Sequence, residues 1–189
     1  MQEKRKKFQE EIKSINPENL ISLDESSINL AFTRLYGRAM TNERVKEGVV
    51  DARFERKSIL STMRLNGEMC PLVFDGTLNQ HIFAEYIKTF LKPTLLPDDI
   101  ILLDNSSVHT SKLVLDTLKE CNIKYMFLPP YSPDFNPIEL LWAFMKSILR
   151  KLKSRTHDKL EYAINIALDS VDLDSISNWF EHCGYVVNV

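Results

Sequence analysis

A chain of 189 residues, 44% hydrophobic and 26% charged, has the make-up of one globular domain with a proper core. No apolar run approaches the roughly 18 residues of a membrane span, and none follows the polar opening Met1-Gln2-Glu3-Lys4-Arg5-Lys6-Lys7, so neither a membrane segment nor a secretory signal is expected. A net charge of −2 argues against a general nucleic-acid binder, and the scattered Cys70, Cys121 and Cys183 fit reduced cytosolic thiols rather than a zinc or disulfide framework.

Residues 2–14 are polar and helix-prone, with Phe8, Ile12 and Ile15 at helical spacing, and Pro17 ends the helix. This predicts an amino-terminal basic helix and linker over 1–17, then a single domain over 18–189. A strand is expected over 20–24. Residues 28–56 show no clear period, apart from a short strand expected near 35–40. The runs 57–65 and 68–74 flank Asn66-Gly67, a strong hairpin signal because both residues tolerate φ > 0, and Asp75-Gly76 marks a second turn. Ile82, Phe83, Tyr86, Ile87 and Phe90 give a helix over 81–91 that stops before Pro93.

The remaining elements follow in alternation. A strand closes at Asp104, a helix covers 111–120, a strand covers 123–128, and a long helix runs from Pro137 to at least Leu152. Two more helices are expected near 156–168 and 174–182. The order β-β-β-α-β-α-β-α with extra carboxyl-terminal helices predicts an α/β fold, a mixed sheet flanked by helices, as in ribonuclease-H-like domains. In such a sheet the strands of Asp24 and Asp104 are neighbours. Both carboxylates then lie near the strands' carboxyl ends, where open α/β sheets place ligands.

Three acids stand out. Asp24 ends the run Leu20-Ile21-Ser22-Leu23, Asp104 ends Ile100-Ile101-Leu102-Leu103, and Glu139 opens a helix behind a stretch stiffened by Pro129, Pro130, Pro133 and Pro137. Carboxylates on three rigid elements are what a two-metal phosphodiester site requires, because hard oxygen ligands hold the two ions that stabilise the attacking and leaving oxygens. Each acid also has a plainer reading. Asp24 alone would serve as a solvated turn residue, and Glu25 cannot share its role because successive strand side chains face opposite ways. Asn136 as N-cap, Pro137 at N1 and Glu139 at N3 would explain that motif as helix capping alone.

Cations gather beyond Glu139. Between Trp142 and Lys159 stand Lys146, Arg150, Lys151, Lys153, Arg155 and Lys159 against the single acid Asp158, whereas 161–181 is acidic. At 100° per residue from Glu139, Lys146 lies at about −20°, Arg150 at about +20° and Lys153 at about −40°. The ligand candidate and the cations thus share a stripe roughly 20 Å long, either a track for a phosphate backbone or an ordinary solvated basic face. His109 could contact substrate or a water at the scissile site, or bond its own backbone. Asp51, Asp75, Asp98, Asp99 and Asp134 read as turn acids.

The blocks Leu23-Asp24-Glu25-Ser26, Asp104-Asn105-Ser106-Ser107-Val108-His109 and Leu128-Pro129-Pro130-Tyr131-Ser132-Pro133-Asp134-Phe135-Asn136-Pro137-Ile138-Glu139 resemble the three signatures of bacterial insertion-sequence transposases of the mariner-like superfamily. Thirty-four residues lie between Asp104 and Glu139, the family's usual spacing, and Trp179-Phe180-Glu181-His182-Cys183-Gly184-Tyr185 resembles its ending. The resemblance implies a DDE catalytic domain with the triad Asp24, Asp104 and Glu139 and two Mg²⁺ or Mn²⁺ ions. It implies DNA as partner, at element ends and at a target TA, with Lys146, Arg150, Lys153, His109 and Tyr131 as candidate DNA contacts. Strand cleavage and strand transfer would take place on the nucleoid in the cytoplasm, through a homodimer or a partner chain. The family's amino-terminal helix-turn-helix region is not expected here, which points to the second product of a split gene or to a remnant. The competing readings are a non-catalytic DNA-binding or inhibitory fragment and a general ribonuclease-H-like nuclease.

Overall fold

The computed structural model describes residues 2–28, 38–44, 46, 57–154 and 156–187. Its elements are α1 (Gln2–Ile12), β1 (Leu20–Ile28), β2 (Lys57–Met63), β3 (Leu72–Asp75), α2 (Gln80–Tyr86), β4 (Ile100–Leu103), α3 (Lys112–Glu120), β5 (Lys124–Phe127), α4 (Ile138–Leu152), α5 (His157–Asp169) and α6 (Leu173–His182). The five strands form one sheet in the order β3-β2-β1-β4-β5. β1 and β3 run antiparallel to β2, while β4 runs parallel to β1 and β5 parallel to β4. This is the mixed, helix-flanked sheet expected from the element order.

Alternation along the strands sorts the core into two layers. Leu20, Ile28 and Leu102 face one way and pack with Phe8 of α1, with Leu141, Met145 and Leu149 of α4, and with Leu160 of α5 and Phe180 of α6. Ile21, Leu23, Ile101 and Leu103 face the other way, under Phe83 and Tyr86 of α2 and Val114 and Leu118 of α3. Three details depart from the sequence reading. β1 continues past Asp24 to Ile28, because Asp24 through Ile28 pair with β2 from Ser61 back to Lys57. The Asn66-Gly67 turn uses positive φ only at Gly67 (+86°), while the Asn66 side chain accepts from Glu68 N at 3.0 Å. The helix over 81–91 is α only to Tyr86 and then widens into a five-residue π turn ahead of Pro93. Of the strand expected near 35–40, residues 35–37 lie outside the described residues and 38–40 are not strand; Asp51 and Arg155 are likewise undescribed.

α1 packs on the rest of the fold, although residues 1–17 read as a helix and linker apart from it. Phe8 and Ile12 are buried, with the Phe8 ring 5.3 Å from that of Phe135. The Arg5 guanidinium forks onto Asp134 at 3.0 and 2.5 Å, reaches Ser132 Oγ at 2.7 Å and lies over the Phe135 ring. From the other end of the chain, Tyr185 Oη donates to the Phe135 carbonyl at 2.8 Å. The proline-rich segment is therefore anchored on both sides, and Asp134 is an ion-pair partner rather than a free turn acid.

Asp99 is also no solvated turn residue. Arg64, at the end of β2, donates to it at 2.7 and 2.5 Å, with side chains only 6% and 2% exposed. Burial pushes the Asp99 carboxyl up, but the Arg64 guanidinium and the hydrogen bond from Leu96 N hold it below its ordinary range. Among the described residues the cysteines are free thiols, and no helix is long and apolar enough to cross a membrane. Breaking a buried pair strands the remaining charge. Asp99→Asn is therefore expected to cost about 3–5 kcal/mol in urea unfolding, and the double change Arg64→Met, Asp99→Leu less. A double variant as unstable as the single would count against this account.

Candidate active site

The site is built where β1, β4 and α4 meet. The parallel register sets Leu20, Ile21 and Ser22 beside Ile100, Ile101 and Leu102. Two residues further on, Asp24 stands level with Asp104, on the face that α4 covers. Asp24, Asp104 and Glu139 all line one cavity of about 370 Å³, together with Asn105, Ser106, Asn136 and the residues 128–133. The structure thus brings together the three acids read from the sequence. Among the described residues, no three histidine, cysteine, aspartate or glutamate side chains stand close enough together to hold a metal ion.

The entry to α4 is capped from a distance. Asn136 was expected to be the N-cap, but the helix begins at Ile138 with no side-chain cap of its own. Instead Ser22, from β1, accepts from the Ile138 N–H at 3.1 Å and donates to Asn136 Oδ1. Ser22, Asn136 and Ile138 are all buried, so the strand two residues before Asp24 is tied to the helix one residue before Glu139.

Two of the carboxylates are held from behind. Trp142 Nε1 donates to Asp24 Oδ2 at 3.2 Å from a buried indole. His109 Nδ1 bonds Asp104 Oδ1 at 2.5 Å, and Ser106 N donates to the same oxygen at 3.0 Å. Since the ionised carboxylate only accepts, the Nδ1–H tautomer of His109 is assigned. Its Nε2 is buried with no hydrogen-bond partner among the described residues, and the ring centroid lies 4.6 Å from that of Phe83. At 2% exposure His109 is packed behind Asp104, away from the surface. The sequence reading missed Trp142 and Ser22. The signal was there in part, since Ser22 shares the strand face of Asp24 and Trp142 shares the helix side of Glu139.

Electrostatics divide the triad. Burial, then the charges of Glu139 and Asp104, push Asp24 up to about 7. Burial also raises Glu139, helped by Asp104 and opposed by Lys146. Asp104 goes down instead, because the bonds from His109 and Ser106 outweigh its burial. Burial lowers Lys146, Glu139 and Asp24 draw it back up, and Arg150 reinforces the lowering, so Lys146 stands within the field of the site. Lys153 departs from the expected stripe: it lies in a left-handed C-cap (φ +51°) after α4, where the helical projection no longer holds. Tyr131 stands at the cavity mouth, 89% exposed.

A sequence profile described as DDE superfamily endonuclease matches residues 19–161. The Transposable element Tcb1 transposase of Caenorhabditis briggsae is 21% identical over 110 residues, 56% of this chain and 40% of that protein. The chain therefore spans well under half of this curated relative's length. The Mos1 mariner paired end complex with Mn superposes with a TM-score of 0.79 at 17% identity, covering 96% of this chain and 56% of that one. The Mos1 transposase catalytic domain with Raltegravir and Mg gives 0.71 at 18% identity, covering 96% and 92%. At these identities the structural likeness establishes the fold.

A folded-state pKa raised above the unfolded one means that folded Asp24 keeps its proton between about pH 4 and 7 while the unfolded chain releases it. Stability in EDTA should therefore fall as pH rises through that window. Asp24→Asn, which cannot ionise, should flatten the fall and be the more stable protein at pH 8. Urea midpoints at pH 5 and pH 8 test this, and parallel pH profiles for the two proteins would contradict it.

Proposed function

The chain belongs to the DDE superfamily endonucleases, and from that premise we propose that it is the catalytic domain of a transposase that cuts DNA and joins the freed strand to a target. The observation that carries this reading is the convergence of Asp24, Asp104 and Glu139 on one cavity from two parallel neighbouring strands and a helix start. The donor set fits a hard divalent cation, being all carboxylate oxygen. Asp24, Asp104 and Glu139 would hold Mg²⁺ or Mn²⁺, and two such ions would serve the reaction. Such ions, when bound, neutralise charge on the attacking and leaving oxygens and make a bound water more acidic.

The chain's own residues orient and exclude. His109 and Ser106 keep Asp104 ionised and aimed, while Trp142 fixes the rotamer of Asp24. No side chain need act as nucleophile, so catalysis rests on positioning and charge stabilisation. In cleavage a water oxygen bonds to phosphorus as the P–O3′ bond breaks. In transfer the freed 3′-oxygen bonds to a target phosphorus as the target's P–O3′ bond breaks. Lys146 and Arg150 lead the phosphate backbone along α4 to the site. The mariner-like sequence blocks support extending this to two copies on paired element ends or a partner chain that supplies a helix-turn-helix domain for end recognition, to a TA target and to action on the nucleoid.

Nicking of supercoiled plasmid tests the reading. Mn²⁺ or Mg²⁺ should support nicking, EDTA should abolish it, and Asp104→Ala should lower it at least about 100-fold while remaining folded by circular dichroism. A folded wild type that neither nicks nor binds Mn²⁺ would sink the enzyme reading in favour of a DNA-binding or inhibitory fragment. Preferential cleavage of RNA–DNA hybrid would favour a general nuclease instead. For the α4 track, Lys146→Ala with Arg150→Ala should weaken DNA binding and reduce the slope of log K against log[salt] by about 2. An unchanged slope would refute the track.

A further inference from the structure

Ser22 is a polar residue at a core position. It interrupts the apolar run Leu20-Ile21-Ser22-Leu23 in the central strand β1 and is fully buried. Met63 of β2 pairs with it on one side and Leu102 of β4 on the other, so its backbone is pinned from both edges. A buried hydroxyl at best recovers what its removal from water costs, whereas an apolar side chain there would add to the core. Its use lies in what it holds. Ser22 Oγ accepts from Ile138 N at 3.1 Å and donates to Asn136 Oδ1, and the Asn136 carbonyl accepts in turn from Glu139 N at 3.1 Å. A cap supplied locally would satisfy the same N–H and leave α4 free to slide against the sheet. A cap supplied from β1 does not. The pairing of β1 with β4 ends at Ser22 and Leu102, so Asp24 and Asp104 both stand beyond the last pair of these strands. The strand position that fixes the start of α4 is thus also the last that ties the two aspartate strands together.

We propose that Ser22 is a positioning residue of the carboxylate site. It holds the backbones of Asp24 and Glu139 at one fixed separation, and so gives the site its preference for a small octahedral cation, Mg²⁺, over a larger one such as Ca²⁺. The proposal rests on the phosphodiester reading above and adds what sets the choice of ion. Mg²⁺ demands near-ideal octahedral geometry at roughly 2.0–2.1 Å, while Ca²⁺ takes more oxygens in flexible arrangements at roughly 2.3–2.6 Å. Selectivity between them depends on how rigidly the ligand-bearing elements are spaced. Asp24 and Asp104 have side-chain supports of their own in Trp142, His109 and Ser106, whereas the Glu139 backbone is set through the start of α4. Without the bridge, β1 and α4 stay packed through Leu20, Leu141 and Met145 but lose their directional contact. The spacing then gains a latitude that Ca²⁺ tolerates and Mg²⁺ does not.

The test compares wild type, Ser22→Ala, Ser22→Thr and, as a control, Thr117→Val, which removes a buried hydroxyl from α3 on the opposite side of the sheet. Mn²⁺ affinity is read by electron paramagnetic resonance, Mg²⁺ and Ca²⁺ affinities by competition with it, folding by thermal melting and activity by Mg²⁺-supported nicking. Ser22→Ala should bind Mg²⁺ about 10- to 100-fold more weakly, with Ca²⁺ affinity lowered far less. Its nicking should lose kcat rather than KM for DNA. Ser22→Thr, which keeps the hydroxyl, should restore the wild-type ratio of the two affinities, and Thr117→Val should keep that ratio at a lowered melting temperature. Should Ser22→Ala fail to fold, Ser22→Cys, whose thiol is a weaker donor at the same place, carries the same criterion. Equal losses of Mg²⁺ and Ca²⁺ affinity, or an unchanged Mg²⁺ affinity, would overturn the proposal, because a merely loosened fold treats the two cations alike. A wild type that binds none of the three cations would instead bring down the phosphodiester reading itself.

Discussion

One buried hydroxyl couples the strand that carries Asp24 to the helix that carries Glu139. Ser22 receives the first N–H of α4 and gives its proton to Asn136, in an interior where none of the three groups meets water. A hydrogen bond there contributes modestly when made and costs about 1–3 kcal/mol per stranded group when lost. The link is therefore stiff as well as stabilising. Asp24 is two residues from one end of it and Glu139 one residue from the other. The parallel pairing of β1 with β4 supplies the remaining coordinate by bringing Asp104 level with Asp24. Three carboxylates far apart in the chain are thus placed by one side-chain bridge and one strand register.

That placement works against stability in the absence of a cation. Burial, then the like charges facing the same cavity, push Asp24 up to about 7. The fold does not relax the conflict evenly. It keeps Asp104 ionised through His109 and Ser106 and lets Asp24 and Glu139 rise. Asp104, charged and oriented, would offer a cation its first ligand, and Asp24 and Glu139 would ionise with it. Stability given up at a functional site in this way is a familiar exchange.

The order of strands and helices, the adjacency of β1 and β4 and the convergence of the acids were legible because they rest on local periodicity and on general rules of α/β topology. What could not be read depended on partners distant in the chain. Ser22 caps a helix that starts 116 residues later, and a local scan naturally gave that task to Asn136. The same distance hid the Arg5 clamp on Asp134 and the Arg64 fork on Asp99. β1 outran its apolar run because β2 pairing sustains strand through Glu25, Ser26 and Ser27. Lys153 failed for a different reason: a helical projection assumes helix, and the backbone turns left-handed one residue beyond α4. His109 stood in a recognisable block, but its burial behind Asp104 is a packing fact that the block does not contain.

α4 shows why core and site cannot be separated in this domain. Ile138, Leu141, Trp142, Met145 and Leu149 are its buried face, and Glu139, Lys146 and Arg150 lie on another side. Trp142 belongs to both sides, since its ring is buried in the core while its indole N–H reaches Asp24. A slip of one residue would turn the helix by about 100°. That turn would expose apolar side chains, take Glu139 out of the cavity and withdraw the indole from Asp24 together. Hydrophobic packing, the strongest term available to the fold, therefore selects the single rotation of α4 at which the three acids meet. The geometry of the site is held by the core, and its charge conflict is tolerated because the core leaves no alternative register.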